Sequence, residues 1–269
     1  MSLGRALQAI ALAIGVAMAA DPASSQTLRI GGTGAVTALL EQMGPAFKAD
    51  SGVVLDVVHG LGTSGAINAV ADGKLDLAFS GRPLRDKETA RGIQVVATVR
   101  TPFGFVTSRP GPDNFEKAGI VKLFRADKPA WLDGTPVLIH LRPSDESDYV
   151  VLGALFPGIA EAFKQLRKRP DLSVAATDQD NADMVERVKG SLTAATLTQI
   201  LTEKRNLRFI SIDGVAATLE NYLNGTYPYG KPLYLVVLAA PSPAAQAFLA
   251  FLAKPAGAAM LRSAALIVK

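Results

Sequence analysis

Apolar positions in the first part of the chain alternate between short strand-like runs and helical spacings. Residues 27–30, 53–58 and 75–79 predict three strands. Between these strands, apolar residues recur at the spacing of a helix: Val36, Leu39, Leu40, Met43 and Phe47, then Ile67, Val70 and Ala71. The dipeptide Gly44-Pro45 should kink or restart the first helix. This β-α-β-α-β order predicts a parallel sheet covered by helices, with ligands bound at the carboxyl ends of its strands.

The remaining pattern predicts a second α/β unit. Residues 93–99 and 103–107 read as two further strands, and the Pro- and Gly-rich segment 108–112 as the exit from a first lobe. An apolar run at residues 233–238 predicts a strand that returns to the first lobe. We therefore predict two lobes, with residues 27–107 and 236–269 in lobe 1 and residues 108–235 in lobe 2.

The N-terminal segment has the features of a secretory signal peptide. Arg5 supplies a positive charge, residues 6–20 form an apolar run, and small residues permit cleavage after Ala19, Ala20 or Ser25. We predict a signal peptide at residues 1–26, the alternative being an uncleaved N-terminal membrane anchor. The mature protein is expected to be a soluble protein of the periplasm.

Composition narrows the chemistry that the chain can perform. The sequence contains no cysteine, which excludes a disulfide framework, a thiolate metal site, a cysteine nucleophile and a lipid-modified cysteine. The formal net charge is +4, and the one dense basic cluster, at residues 167–169, is typical of a solvated helix end. We predict no nucleic-acid partner, no cofactor and no metal.

Three glycine-rich turns carry the candidate chemistry. Segments 32–37 and 60–65 each follow a predicted strand and open a predicted helix, and segment 76–84 runs from the third strand into Arg82 and Pro83. Glycine allows a ligand to approach the backbone closely, and the free N–H groups of a helix start attract anions. Together with hydroxyl side chains and an arginine, the turns predict a pocket for a small oxyanion.

Further motifs give the chain a family resemblance. Leu123-Phe124 followed by Trp131-Leu132-Asp133-Gly134, then Ile212-Asp213-Gly214-Val215, Gly225-Thr226-Tyr227-Pro228 and Pro232-Leu233-Tyr234, stand in an order that resembles the phosphate-binding branch of the periplasmic solute-binding proteins of ABC transporters. The resemblance extends over almost the whole mature chain. It implies an α/β fold of the type II-like, two-lobe periplasmic binding protein class, with mostly parallel sheets flanked by helices and the ligand in the cleft between the lobes.

The resemblance also implies the function, the partner and the site residues. It implies capture of a small oxyanion, phosphate first, for an ABC transporter permease, by a monomer that closes around the ligand through a hinge. The implied ligand-binding residues are those of the three turns and of one second-lobe segment: Ala35, Val36, Thr37, Thr63, Ser64, Ser80, Gly81, Arg82, Arg142 and Ser147.

Two departures from the family pattern leave the ligand open. Gly81 stands where phosphate binders of this type can carry an aspartate that accepts the proton of a protonated phosphate. The second-lobe segment, expected to read Ser-Gly-Thr, keeps only Ser147, with Glu146 and Asp148 on either side and Tyr149 in the threonine place. Carboxylates beside an anion cost affinity unless they point away or pair with Arg142. Sulfate-like, molybdate-like and organic phosphate ligands stay open.

Other candidates are weaker. Asp178, Asp180 and Asp183 suggest a cation site, but they lack the spacing of a Ca²⁺ loop, and a capped helix start near Asp180 is the better interpretation. His59 and His140 are expected to be packing or edge residues, as is Trp131. Because no nucleophile with a base is evident, we expect a binding protein and no enzyme; a phosphate-ester hydrolase and a ligand sensor without a transporter are the alternatives.

Overall fold

The computed structural model describes residues 26–268. The predicted signal peptide therefore lies outside the described residues, apart from Gln26. The strands are β1 (Thr27–Gly32), β2 (Val54–Val58), β3 (Leu77–Ser80), β4 (Ile93–Thr107), β5 (Asn114–Phe115), β6 (Leu138–Leu141), β7 (Ser173–Val174), β8 (Ser191–Thr196), β9 (Arg208–Phe209), β10 (Ser211–Ile212), β11 (Gly230–Leu238) and β12 (Ile267–Val268).

Helices cover the sheet and connect its strands. They are α1 (Thr37–Ser51), α2 (Gly62–Ala71), α3 (Asp86–Thr89), α4 (Lys117–Arg125), α5 (Ser147–Leu155), α6 (Ile159–Leu166), α7 (Asp178–Arg187), α8 (Leu197–Thr202), α9 (Leu219–Leu223), α10 (Pro243–Ala253) and α11 (Pro255–Ser263). Within residues 26–268, no single helix is long and apolar enough to cross a bilayer; α10 and α11 meet the criterion only as a pair bent by 73°.

The main sheet runs in the order β2-β1-β3-β11-β4-β8-β6-β7. Strand β1 pairs in parallel with β2 and β3, as the opening pattern predicted, and β6 pairs in parallel with β7 and β8. Strand β11 is antiparallel to both β3 and β4, so it joins the opening parallel unit to the rest of the sheet. The fold is therefore α/β with a large, mostly parallel sheet flanked by helices, as expected.

Two large hydrophobic cores pack against different parts of the sheet. The first contains Leu28, Phe47 and Phe248, together with other side chains from β1, α1 and the closing helices. The second contains Phe105, Phe124 and further aromatic side chains from α4, α5 and α6. Because α10 and α11 contribute to the first core, the end of the chain packs beside its beginning.

Strands β4 and β11 pass from one core to the other. On β4 the change falls between Val99 and Phe103, and beside it between Tyr229, which precedes β11, and Leu233 of β11. The prediction of two separate strands at residues 93–99 and 103–107 was wrong, because β4 is continuous over 15 residues. Pro102 removes one ladder donor, yet the Phe103 N–H donates to the Tyr229 carbonyl at 3.0 Å and pairing resumes. The lobe boundaries at residues 107 and 235 stay a prediction.

The opening helix confirms the predicted spacing and has no restart at Gly44-Pro45, and the alternative of a kink there stays a prediction. Leu39, Leu40, Met43 and Phe47 are all buried on one face of α1. Pro45 lies inside α1, which runs without a restart until Gly52, whose φ of 73° is the left-handed conformation that closes a helix.

Candidate functional site

The first glycine turn follows β1 at the carboxyl edge of the sheet. Gly32 has a φ of +148°, and a Cβ there would lie 2.2 Å from the Phe79 carbonyl oxygen, so only glycine fits. A short 3-10 turn, Gly34–Val36, then leads into α1. Of the predicted residues, Ala35 and Val36 lie buried in this turn and Thr37 is the first residue of α1.

Hydrogen bonds tie the second and third turns to each other. The Thr63 hydroxyl accepts from the Gly81 N–H at 3.0 Å, and the Ser64 hydroxyl accepts from Arg82 Nη2 at 3.3 Å. The Ser80 hydroxyl donates to the Arg82 carbonyl at 2.6 Å. These side chains stabilise the two turns, so the predicted hydroxyl groups are adjacent in space but are engaged with neighbouring protein groups.

Arg82 is engaged by an acidic partner within the first lobe. Its Nη1 and Nη2 atoms lie 2.9 Å and 2.7 Å from the two carboxylate oxygens of Glu88, and both side chains are buried. The hydrogen bond from Arg82 is the largest cause that lowers the pKa of Glu88. Such a bidentate pair fixes the turn after β3. A ligand role for Arg82 stays a prediction.

Arg142 directly follows β6 and has carboxylates on two sides. Its Nε atom donates to Asp178 Oδ1 at 3.0 Å, Nη2 lies 3.0 Å from Glu146 Oε1, and Nη1 donates to the Ala175 carbonyl at 2.8 Å. The residue is 7% exposed. Of the two possibilities left open for Glu146, pointing away or pairing with Arg142, the second is observed, and Asp178 is an additional partner.

Both carboxylates on Arg142 also reach the glycine turns of the opening unit. The Thr33 hydroxyl donates to Asp178 Oδ2 at 3.5 Å. A Cβ on Gly62, the first residue of α2, would lie 3.2 Å from Glu146 Oε1. Carboxylate oxygens thus lie at two of the backbone turns that sequence reasoning assigned to a ligand anion.

A cavity of about 50 Å³ lies where these groups meet. Its lining residues come from the first two turns and from the segments around Arg142 and α7: Gly32, Gly34, Gly60, Leu61, Gly62, Arg142, Glu146, Ala176, Thr177, Asp178 and Gln179. Among these lining residues, Arg142 is the one that the sequence analysis assigned to the ligand. The cavity lies at the carboxyl ends of β1 and β6, which is where parallel sheets of this kind present ligand sites.

A second buried cation lies beside the third turn. Lys231 of β11 is 1% exposed and its Nζ atom pairs with the Asp148 carboxylate in the first turn of α5. A Cβ on Gly81 would lie 2.3 Å from Ser147 Oγ and 3.0 Å from Lys231 Cε. No aspartate fits at position 81 in this arrangement, which accounts for that departure from the family pattern.

Two carboxylates at or near the cavity, those of Glu146 and Asp148, have raised pKa values. Burial is the largest cause that raises the pKa of Glu146, with Asp178 and Asp148 adding to it and Arg142 and Lys231 opposing it. Burial likewise raises the pKa of Asp148, against the attraction of Lys231. Three carboxylates, those of Glu146, Asp148 and Asp178, therefore share two cations, Arg142 and Lys231.

The remaining candidates have structural partners. His140 is buried with its Nε2 atom 2.8 Å from the Ser191 hydroxyl, and burial lowers the pKa of its imidazole. The exposed His59 lies 3.0 Å from Glu41. Helix α7 starts at Asp178 with Thr177 as its N-cap, a capped start near the predicted position. Over the described residues, no group of three or more His, Cys, Asp or Glu could hold a metal ion.

Sequence reasoning missed Asp178, Gln179 and Lys231 as site residues. Asp178 was weighed only as a cation ligand, although Thr177 and Asp180 form a capping box that marks it as a first-turn residue. Lys231 stands at the start of the apolar run of β11, where a charge is unexpected. That mismatch was the available signal for a buried ion pair.

Comparisons with known proteins agree with this architecture. The sequence model of a family described as the PBP superfamily domain matches residues 17–256. No curated protein matches the chain in sequence. A proposed phosphate ABC transporter substrate-binding protein from Clostridium perfringens, solved with bound phosphate, superposes with a TM-score of 0.77 at 16% identity, covering 91% of this chain and all (100%) of that one.

Two further solved structures share the fold. A phosphate-binding protein from Stenotrophomonas maltophilia superposes with a TM-score of 0.64 at 12% identity, covering 90% of each chain. The periplasmic molybdate-binding protein of Azotobacter vinelandii gives a TM-score of 0.60 at 11% identity, covering 90% of this chain and 99% of that one. At these identities the likeness concerns the fold.

Proposed function

The chain belongs to the PBP superfamily, and from that premise we propose that it is a periplasmic solute-binding protein that captures a small oxyanion between its lobes for an ABC transporter permease. Phosphate is the first candidate ligand. In this proposal the protein binds its ligand as a monomer and catalyses no reaction.

The position of Arg142 carries this proposal. A buried guanidinium at the carboxyl end of β6 meets the turn before α1 and the start of α2 around one cavity. A guanidinium forms strong charge-assisted bonds to oxyanions, and helix starts supply N–H donors for them. This combination of donors at a junction between two cores favours a small anion over an apolar ligand.

The dimensions of the cavity also favour a small ligand. A cavity needs roughly 10–15 Å³ of free space to hold one water molecule. A volume of about 50 Å³ therefore has room for a few water molecules. An inorganic oxyanion is of that size. The structural relatives from C. perfringens and A. vinelandii, described with bound phosphate and as molybdate-binding, make both anions reasonable probes here.

The crossing of β4 and β11 between the two cores is where we propose the hinge that the binding role needs. Strands β4 and β11 are paired where they cross from one core to the other, with Val99 opposite Leu233 and Thr101 opposite Lys231. Two paired strands can bend at the crossing while each core stays intact, which is how hinge closure around a ligand works. The closed shape is what a membrane partner would recognise.

The hydroxyl groups of the site favour binding over catalysis. Ser64 accepts a hydrogen bond from Arg82, and Ser80 donates to a backbone carbonyl, so neither faces a side-chain base. The Thr33 hydroxyl does face a carboxylate, that of Asp178, but this carboxylate is paired with Arg142. The buried Ser191–His140 pair joins β8 to β6, and neither residue lines the cavity. These contacts give no support to the hydrolase alternative.

Calorimetric titration of the mature protein with phosphate, sulfate and molybdate tests the proposal. We expect saturable binding of at least one of the three anions, with one site per chain. Heat of binding with none of them would contradict the oxyanion proposal. Turnover of a chromogenic phosphate ester would instead support the hydrolase alternative.

A further inference from the structure

Asp178 connects the cation of the second lobe to the first glycine turn. One carboxylate oxygen accepts from Arg142 Nε at 3.0 Å, and the other accepts from the Thr33 hydroxyl at 3.5 Å. Its side chain is largely buried. An anion that bound both Arg142 and this turn would need the space that the Asp178 carboxylate fills.

The fit between α7 and the first turn is close. A Cβ on Gly34 would lie 2.7 Å from Asp178 Oδ2 and 2.8 Å from Gln179 Oε1. Gln179 Nε2 also donates to the Gly34 carbonyl at 3.0 Å. The start of α7 therefore rests directly on the turn, and a side chain at position 34 would prevent this contact.

Asp178 is one of two carboxylates that lie against Arg142. Glu146 already provides a carboxylate 3.0 Å from Arg142 Nη2. With Asp148 paired to Lys231, Asp178 is the third carboxylate beside two cations. A multiply charged oxyanion entering this environment would meet excess negative charge at short range, which is unfavourable in a buried site.

We propose that Asp178 is a built-in competitor for the ligand: its carboxylate occupies the anion position between Arg142 and Thr33, and the oxyanion binds by displacing it. This inference rests on the proposed function. Exchange of one anion for another leaves the charge of the guanidinium balanced throughout. The Asp178 bridge also holds the two lobes together until the ligand replaces it.

The variant Asp178→Asn separates competition from structural support. Asparagine has the same shape and keeps an oxygen that can accept from Arg142, but it removes the negative charge that competes with the ligand. Because charge-assisted bonds are about twice as strong as neutral ones, we expect phosphate to bind about tenfold more tightly to this variant. The matched control is Asp145→Asn, an exposed residue of the same lobe, for which we expect no change.

A distance measurement across the cleft gives a second readout. The chain has no cysteine, so Lys74→Cys and Lys164→Cys, both at exposed positions of different lobes, introduce two unique sites for spin labels. Without phosphate we expect a longer, broader label distance in Asp178→Asn than in the unaltered background. With saturating phosphate the two distances should coincide.

The outcomes distinguish the two levels of the argument. Tighter phosphate binding together with the longer distance in Asp178→Asn supports the competitor. Equal or weaker binding by the variant overturns the competitor and leaves the oxyanion-binding function standing. Binding of phosphate, sulfate and molybdate by neither protein overturns the proposed function, and the competitor with it.

Discussion

Thr33 and Asp178 are 145 residues apart in the sequence, yet the hydroxyl of one donates to the carboxylate of the other at 3.5 Å. The contact joins the first glycine turn to the start of α7, beside Arg142. It puts an acidic side chain at a position that the glycine turns alone would assign to a ligand. The electrostatics of the cleft therefore depend on carboxylates as much as on anion donors.

The raised pKa of Glu146 predicts a pH-dependent stability. Burial makes its ionisation costly, so the stability that the protonated form contributes is present below the ordinary value of 4.5 and is lost as pH rises through the raised pKa. Glu146→Gln keeps the neutral form at every pH. We therefore expect Glu146→Gln to gain stability relative to wild type from mildly acidic to neutral pH, seen as a larger free energy of unfolding.

Urea unfolding of both proteins across that pH range measures this difference. Asp145→Asn, exposed in the same loop, should show a difference from wild type that does not change with pH. A Glu146→Gln protein that loses stability relative to wild type as pH rises would contradict the assignment.

The Arg82–Glu88 pair predicts a large stability effect of the opposite sign. Glu88→Gln leaves a buried guanidinium without its anion, and removal of one partner of a buried pair costs about 3–5 kcal/mol. Because the pKa of Glu88 is lowered in the fold, the stability from this group is present at neutral pH. It is lost as pH falls through the lowered pKa, so the deficit of the variant should shrink in acid.

Denaturant unfolding at neutral and acidic pH checks the prediction. The exposed Glu161→Gln in the other lobe serves as control and should stay within about 0.5 kcal/mol of wild type. An equally small effect of Glu88→Gln at neutral pH would show that the pair does not stabilise the turn.

A side chain at position 81 should block the close approach of the third turn to α5. A Cβ at this position would lie 2.3 Å from Ser147 Oγ, so Gly81→Ala must separate the third turn from α5. Overpacking of this kind costs about 1–3 kcal/mol, which should weaken phosphate binding by a factor of about five to 150. Gly65→Ala is the matched control, since its nearest neighbour would be Leu61 Cβ at 3.6 Å.

Calorimetric affinities for the two variants measure the effect. The control should bind as wild type does, because 3.6 Å is an ordinary van der Waals separation for the added methyl group. Unchanged affinity in Gly81→Ala would mean that Gly81 and Ser147 need not approach each other for binding.

The fold could be predicted well from local patterns. Helical spacing identified α1, with Phe47 on its buried face, and alternation of strands and helices predicted the parallel pairing of β1 with β2 and β3. The continuous strand β4 was missed because Pro102 resembles a break, and only its pairing with β8 over Phe103–Val106 reveals that the strand continues beyond it. Proline affects one hydrogen bond of a ladder, and sequence alone cannot show which side that bond is on.

The site was harder to predict because its contacts are long-range. Arg142 could be located, since it directly follows a strand-like run. Its partner Asp178 lies 36 residues further on, and the Lys231–Asp148 pair spans 83 residues. Pairings at such separations are decided by how distant elements pack in the folded chain, so no local spacing encodes them.

Titration of the mature protein and of Arg142→Ala with phosphate is the most direct test of the central claim. A hydrogen bond to a charged group contributes about 1.5–3 kcal/mol, so the variant should bind about ten- to a hundredfold more weakly. Arg169→Ala, an arginine of the same lobe that pairs with the exposed Asp171, is the control, and thermal unfolding confirms that each variant is folded. Wild-type binding that is weakened only in Arg142→Ala is the predicted result; equal affinity of a folded Arg142→Ala protein would contradict the account.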